Sequence, residues 1–155
     1  MRMKWDERDL RYQALMQLLR TAETVWNASR QFFERWELSP SQFNVLNLLQ
    51  ANPAGLSQSD LSRELIMHRS NVTGLVDRLE KRALVERKDV AADRRAYSVV
   101  LTAAGASLLR KILPGYFDGA VRTWEGIPAS RATRLIADLQ QLARNAERIV
   151  AELPH

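Results

Sequence analysis

The 155-residue chain contains no cysteine. That excludes a disulfide framework, a thiolate nucleophile and a cysteine redox switch. Its two histidines, His68 and His155, stand far apart in sequence. A dedicated zinc site normally needs three or four Cys, His or carboxylate ligands, so no metal site is expected. No stretch approaches the ~18 to 20 uninterrupted apolar residues that a membrane span needs. There are six glycines, none arranged as a dinucleotide or phosphate loop, and no Ser/His/acid set stands out. The expectation is a chain that is not an enzyme and carries no cofactor. The opening Met-Arg-Met-Lys-Trp-Asp-Glu-Arg is charged with no apolar run behind it, which predicts no secretory signal and a cytoplasmic protein. Aromatic residues are missing altogether between Phe43 and Tyr97. Single-strand and most RNA modules need exposed aromatic platforms for stacking, so any nucleic-acid role of that segment points to duplex DNA.

What is present is an ordinary globular balance: 46% hydrophobic and 26% charged residues, about one domain's worth of chain. The net charge of +5 is spread along the length and does not locate a polyanion face by itself. Residues 8–36 read as one long amphipathic helix. Leu15, Leu18, Leu19, Ala22, Val25, Trp26, Ser29, Phe32, Phe33 and Trp36 recur at three- and four-residue steps, which predicts a buried stripe. Two helix starts follow. Ser39-Pro-Ser-Gln42 is a capping box with proline at the first helical position, and Ser57-Gln-Ser-Asp60 is a second box with the shorter acid. Asn52-Pro-Ala-Gly55 ends the helix between them.

A short helix over 58–65, a break at Ile66-Met-His68 and a helix over 69–82 come next. Val72, Leu75, Val76 and Leu79 form its i, i+3, i+4, i+7 buried face. Arg69, Ser70, Asn71, Thr73, Gly74, Asp77 and Arg78 therefore fall on other faces, a helix-turn-helix pattern with a polar outer side. Leu84–Lys88 and Ala96–Leu101 read as strands joined by a protruding connector, 89–95, that ends in two arginines. Thr102 caps a fifth helix, 103–125, in which Pro114-Gly115 marks a kink or a break, and a sixth helix spans 129–152. The expected fold class is mainly α with a small β-hairpin wing.

A helix-turn-helix directs the first residues of its second helix at base edges in a major groove. Arg69 and Arg78 can fork onto guanine, Asn71 can pair an adenine edge, and Thr73 can place its methyl on thymine. Ser57 and Ser59, with the free amides at the third helix's start, suit phosphate oxygens. Arg94 and Arg95, near a hairpin tip, suit a narrow minor groove.

Three segments together resemble the MarR family of bacterial winged-helix regulators. They are Ser57-Gln-Ser-Asp-Leu-Ser, then Asn71-Val-Thr-Gly-Leu-Val-Asp-Arg-Leu-Glu-Lys-Arg-Ala-Leu-Val-Glu-Arg87, then Asp93-Arg-Arg with Val100-Leu-Thr-Ala-Ala-Gly105. The resemblance implies a homodimer built by the first, fifth and sixth helices and binding to roughly palindromic operators. It implies a fourth helix in the major groove and a wing arginine in the minor groove. Asn71, Thr73 and Arg78 match its groove-facing residues, Asp93 its wing-bracing acid, and Arg94 or Arg95 its tip. Two positions depart from the pattern: Ala83 stands where the family usually has glycine, and Gly74 is unusual on the recognition helix. The implied organisation is dimerisation helices at 1–36 and 103–155 around a winged helix-turn-helix domain at 37–102.

The expected function is sequence-specific double-stranded DNA binding by a homodimeric transcriptional regulator, a repressor relieved by a small, aromatic ligand. Trp26, Phe43, Tyr116 and Phe117 could line a pocket for such an effector; the competing reading is plain packing. The alternative function is a winged-helix module that binds protein rather than DNA.

Overall fold

The computed structural model describes residues 9–65, 67, 69–90 and 93–153; the side chains of residues 69, 90 and 93–96 lie outside that description. The elements run α1 (Leu10–Glu34), α2 (Pro40–Ala51), β1 (Leu56–Ser57), α3 (Gln58–Glu64), α4 (Arg69–Lys81), β2 (Val85–Val90), β3 (Asp93–Leu101), α5 (Ala103–Thr123) and α6 (Ala129–Ala151). The chain divides into two compact units between Ile112 and Leu113, within α5.

In the first unit the helices begin where the sequence supplies the missing partners. Ser39 and Gln42 close a reciprocal box on α2 with Pro40 at its start, and Ser57 and Asp60 do the same for α3. Each box satisfies amides that have no carbonyl within the helix. The core fills around Phe33 and Phe43, stacked at 4.4 Å between centroids, with Leu46, Leu49, Leu61, Val76, Leu79 and Leu109 fully enclosed.

Three features differ from expectation. Of the long α1 stripe, Phe33 alone is buried; Leu15, Leu19, Val25 and Trp26 are exposed. The periodicity is real, but among the described residues those side chains remain uncovered. The hairpin is longer than expected. The antiparallel ladder continues to Val90 opposite Asp93, with an irregularity at Asp89/Val90, so Arg94 and Arg95 fall in β3 and not in a connector. A third strand was not anticipated: Leu56 and Ser57 pair with Val99 and Ser98, giving the order β1-β3-β2. The close approach there depends on Gly55, at φ 86°, where a Cβ would sit 2.7 Å from the Val99 carbonyl oxygen.

Ala83 resolves the departure at the end of α4. It takes the left-handed conformation, φ 54°, that glycine would take. The Leu84 amide donates to the Leu79 carbonyl at 3.0 Å and the Ala83 amide to the Glu80 carbonyl at 2.8 Å. This is a Schellman cap, with Leu84 packed beside Leu79 in the core. The Thr102 hydroxyl donates to the Ala83 carbonyl at 2.7 Å and accepts the Gly105 amide at 3.0 Å. Thr102 therefore starts α5 and fixes the end of α4 at once.

Helix α5 passes through Pro114 without interruption, so the break does not occur. The second unit holds the rest of α5 and α6. Helix α6 is amphipathic yet has no buried residue, and Phe117 (61% exposed), Val121 (72%), Ile136 and Ile149 all stand in the open.

Candidate nucleic-acid interface

Helix α4 is oriented by its apolar side. Val72, Val76 and Leu79 are wholly enclosed and Leu75 nearly so, as their spacing predicts. That burial turns Ser70, Asn71, Asp77 and Arg78 outward, where all four are exposed. Gly74 is half-buried beside them. A Cβ built there meets nothing nearer than Arg78 Nη1 at 3.5 Å, so no packing among the described residues requires glycine.

Thr73 is placed differently from the expectation of a free groove-facing side chain. It is half-buried, and its Oγ1 accepts a hydrogen bond from Gln58 Nε2 of α3. Ser57 is also engaged. Its hydroxyl donates to Asp60 Oδ2 at 2.6 Å and accepts the Asp60 amide at 3.1 Å, which closes the α3 cap. The Ser57 hydrogen bond is the leading cause that holds the Asp60 carboxyl below its ordinary value of 3.8. Ser59 is exposed at the first turn of α3. The side chains of Arg69, Asp93, Arg94 and Arg95 lie outside the described residues, as does His68.

Four residues that sequence reasoning passed over hold this surface in shape. Gln58 is 6% exposed and also accepts a hydrogen bond from the Tyr97 hydroxyl of β3. Arg87 of β2 donates to Asp77 Oδ1 at 2.5 Å and to the Glu80 carboxylate, both on α4, and its backbone amide donates to Glu80 Oε1 at 3.0 Å. Burial alone would lower the Arg87 pKa, but the bonds to Asp77, Tyr97 and Glu80 outweigh it and raise it. Arg82, just beyond α4, donates to the Glu37 carbonyl at 2.5 Å and the Trp36 carbonyl at 3.1 Å. A side-chain cation thereby satisfies two carbonyls of the turn that follows α1. One signal was available for Arg87: it lies two residues after the buried Val85, on the same face of β2. An arginine on an inward-facing strand position needs carboxylates nearby.

The aromatic residues considered for a ligand pocket are distributed between the two units. In the first, Trp26 is 40% exposed on α1 and Phe43 is sealed against Phe33 in the core. In the second, Tyr116 is half-buried and Phe117 exposed, their ring centroids 6.4 Å apart. Among the described residues no group of three or more His, Cys, Asp or Glu is placed to hold a metal ion.

A short helix, a turn and a second helix with an outward polar face, followed by an antiparallel hairpin, define a winged helix-turn-helix protein. The profile of the MarR family matches residues 36–96. PapX of Escherichia coli, an HTH-type transcriptional regulator, is 32% identical over 100 residues, covering 63% of this chain and 61% of PapX. The chain thus spans less than two thirds of that relative's length. A structure of the transcriptional repressor CouR bound to a 23-mer DNA duplex aligns with a TM-score of 0.78 at 27% identity, covering 91% of this chain and 99% of CouR. CouR from Rhodococcus jostii RHA1 bound to p-coumaroyl-CoA aligns with a TM-score of 0.76 at 26% identity, covering 88% of this chain and 93% of CouR. The sequence match to the MarR family thus lies in the winged helix-turn-helix part of the chain, residues 36–96.

Proposed function

We propose that the chain is a homodimeric transcriptional regulator that binds double-stranded DNA at specific sequences, and that it acts as a repressor released by a small ligand. The observation that carries this reading is α4: a helix anchored by four buried aliphatic residues presents Ser70, Asn71 and Arg78 to solvent at its outer face. Asn71 offers an amide for adenine and Arg78 a fork for guanine. Ser59 and the α3 amides meet the phosphate backbone. Arg69, Arg94 and Arg95 supply further donors, with Asp93 bracing the wing. Thr73 contributes by holding α4 to α3 more than by touching bases, and Gly74 leaves room for a groove edge.

Residues 37–102 form the DNA-binding part, and the flanking 1–36 and 103–155 form the dimer. The dimer reading is supported by α6, whose apolar stripe has no burial within the chain, and by the exposed leucines of α1. Long helices with that much uncovered apolar surface need a partner. The CouR complexes with a DNA duplex and with p-coumaroyl-CoA support both the operator and an effector with an aromatic group. Phe43 is sealed against Phe33 in the core and is not offered to an effector; within the second unit Tyr116 and Phe117 lie together and are the aromatic pair proposed for it. The likeness to transcriptional regulators supports a cytoplasmic role without catalysis; no described helix is long and apolar enough to cross a membrane.

The test is enrichment from a random-sequence duplex library by the purified chain, followed by footprinting. The expected product is an inverted repeat with half-site centres about 34 Å apart, one helical turn. Affinity is expected to fall steeply with salt as counterions are released. A chain that enriches no sequence, with affinity flat in salt, overturns the proposal and favours a protein-binding module.

A further inference from the structure

We propose that Gln58, Tyr97 and Arg87 are positioning residues that lock the hairpin to α4, so that wing and recognition helix meet DNA as one body in a fixed register. The inference rests on reading α4 and the hairpin as the DNA-binding surface, and it assigns work to three residues outside the set proposed to touch DNA.

The links form a closed circuit. From Thr73 on α4, the first arm runs to Gln58 of α3 and on to the Tyr97 hydroxyl of β3. Across the hairpin, the Arg87 guanidinium lies 5.1 Å from the centroid of the Tyr97 ring. From Arg87 the second arm returns to α4 through Asp77 and Glu80. Thr73 and Asp77 are one helical turn apart, so both arms land on the same side of α4.

A hairpin held at one point can pivot. This hairpin is already held at its base by the pairing of β3 with β1, and the two arms, which start and end on the same helix, must both break before it can turn against α4. The two arms are stiff for different reasons. Gln58 is nearly fully enclosed, so releasing either end of its amide leaves a buried polar group without a partner. Arg87 presents a planar fork whose donors are fixed relative to one another, and its side chain is 23% exposed. A satisfied network of this kind specifies one arrangement.

A fixed register matters because a winged-helix protein reads two grooves at once. If the hairpin could swing, each sequence would be met in several poses and the difference between a correct and an incorrect site would shrink. The circuit therefore supports discrimination between sequences. Attraction to phosphates depends instead on the number of cations and is unaffected by uncharged changes in the circuit.

The experiment uses the full chain with Gln58→Met, Tyr97→Phe and the double variant, none of which changes net charge. Each is titrated against the duplex enriched by the wild-type chain and against a scrambled duplex of the same length. Each single variant is expected to lose about threefold to tenfold in the ratio of the two affinities, the scale of one net hydrogen bond. The scrambled-duplex affinity and the salt slope stay unchanged. The double variant is expected to lose no more than the worse single one, because the two changes remove a shared bond. Tyr97→Phe removes a single hydroxyl and tests the inference even if Gln58→Met fails to fold. Equal discrimination by wild type and Tyr97→Phe, or losses that multiply in the double variant, overturns the circuit alone. A wild-type chain that enriches no sequence overturns the DNA-binding reading and the circuit together.

Discussion

Replacing Ala83 by glycine should make the protein more stable, against the usual rule that a glycine weakens a helix end it did not occupy before. Ala83 sits at φ 54°, and an L-residue in the left-handed region carries roughly 1–2 kcal/mol of steric cost. Glycine escapes that cost but loses more chain entropy on folding, roughly 0.5–1 kcal/mol. The difference leaves about 0–1.5 kcal/mol, centred at about 0.75, in favour of Ala83→Gly. No contact is lost in exchange: Ala83 is exposed, and the bonds that hold the turn come from its carbonyl and from the amides of Ala83 and Leu84. For a chain of this length the central value corresponds to a melting shift of about 1–4 °C. Urea titration and calorimetry at matched protein concentration measure it; matching matters because dimerisation would contribute to apparent stability. Ala83→Val is the opposing control, since a β-branched side chain at the same φ should destabilise. If Ala83→Gly lowers the midpoint, or if glycine and valine shift it the same way, the account of the α4 cap in terms of left-handed strain is wrong.

Gly74→Ala should stabilise α4 by up to about 1 kcal/mol, because an added Cβ meets only Arg78 Nη1 at 3.5 Å; a lowered urea midpoint would show that glycine is needed by the fold. Arg82→Met should cost about 1 kcal/mol by stripping the Trp36 and Glu37 carbonyls of their donor, read as an earlier urea midpoint with an unchanged slope. Asp9 caps α1, and its carboxyl is lowered from 3.8 to about 2, first by the side-chain hydrogen bond from Arg11 and then by that residue's amide. The folded form therefore holds the proton less tightly than the unfolded chain. The cap's contribution is complete above pH 3.8 and is lost as pH falls through about 2. Protection of the first-turn amides of α1, taken relative to their intrinsic exchange rates, should fall across that window, and in Asp9→Asn the same fall should be absent.

The elements that the sequence made legible are those governed by neighbours along the chain. Ser39 with Gln42 and Ser57 with Asp60 announce their helices because the capping partners are three residues apart. The 72, 75, 76, 79 spacing announces which side of α4 faces inward, and with it the outward placement of Ser70, Asn71 and Arg78. The fate of the α1 stripe was not legible. Periodicity says that a face is apolar, not whether the same chain covers it, and here the chain covers Phe33 and leaves Leu15, Leu19 and Trp26 open. Strand β1 escaped notice because two residues carry no alternation; only the arrival of β3 alongside makes them a strand. The role of Thr73 was misjudged for a similar reason. Its position on α4 fixes its bearing from the helix axis but cannot reveal that Gln58, fifteen residues earlier, is waiting there.

Local order was therefore decided by the amino-acid sequence itself: helix starts, the recognition helix and its polar side, the hairpin, and the composition that forbids cysteine chemistry. Tertiary structure alone decided that Thr102 would brace the Ala83 carbonyl, that Arg82 would tie down the turn after α1, 46 residues before it, and that Gln58, Tyr97 and Arg87 would meet around α4. Capping and amphipathicity act over one or two turns, so a short window of residues contains their cause. A hydrogen bond between distant segments forms only after packing has brought both ends into the same dry space, and that condition is set by the whole core at once.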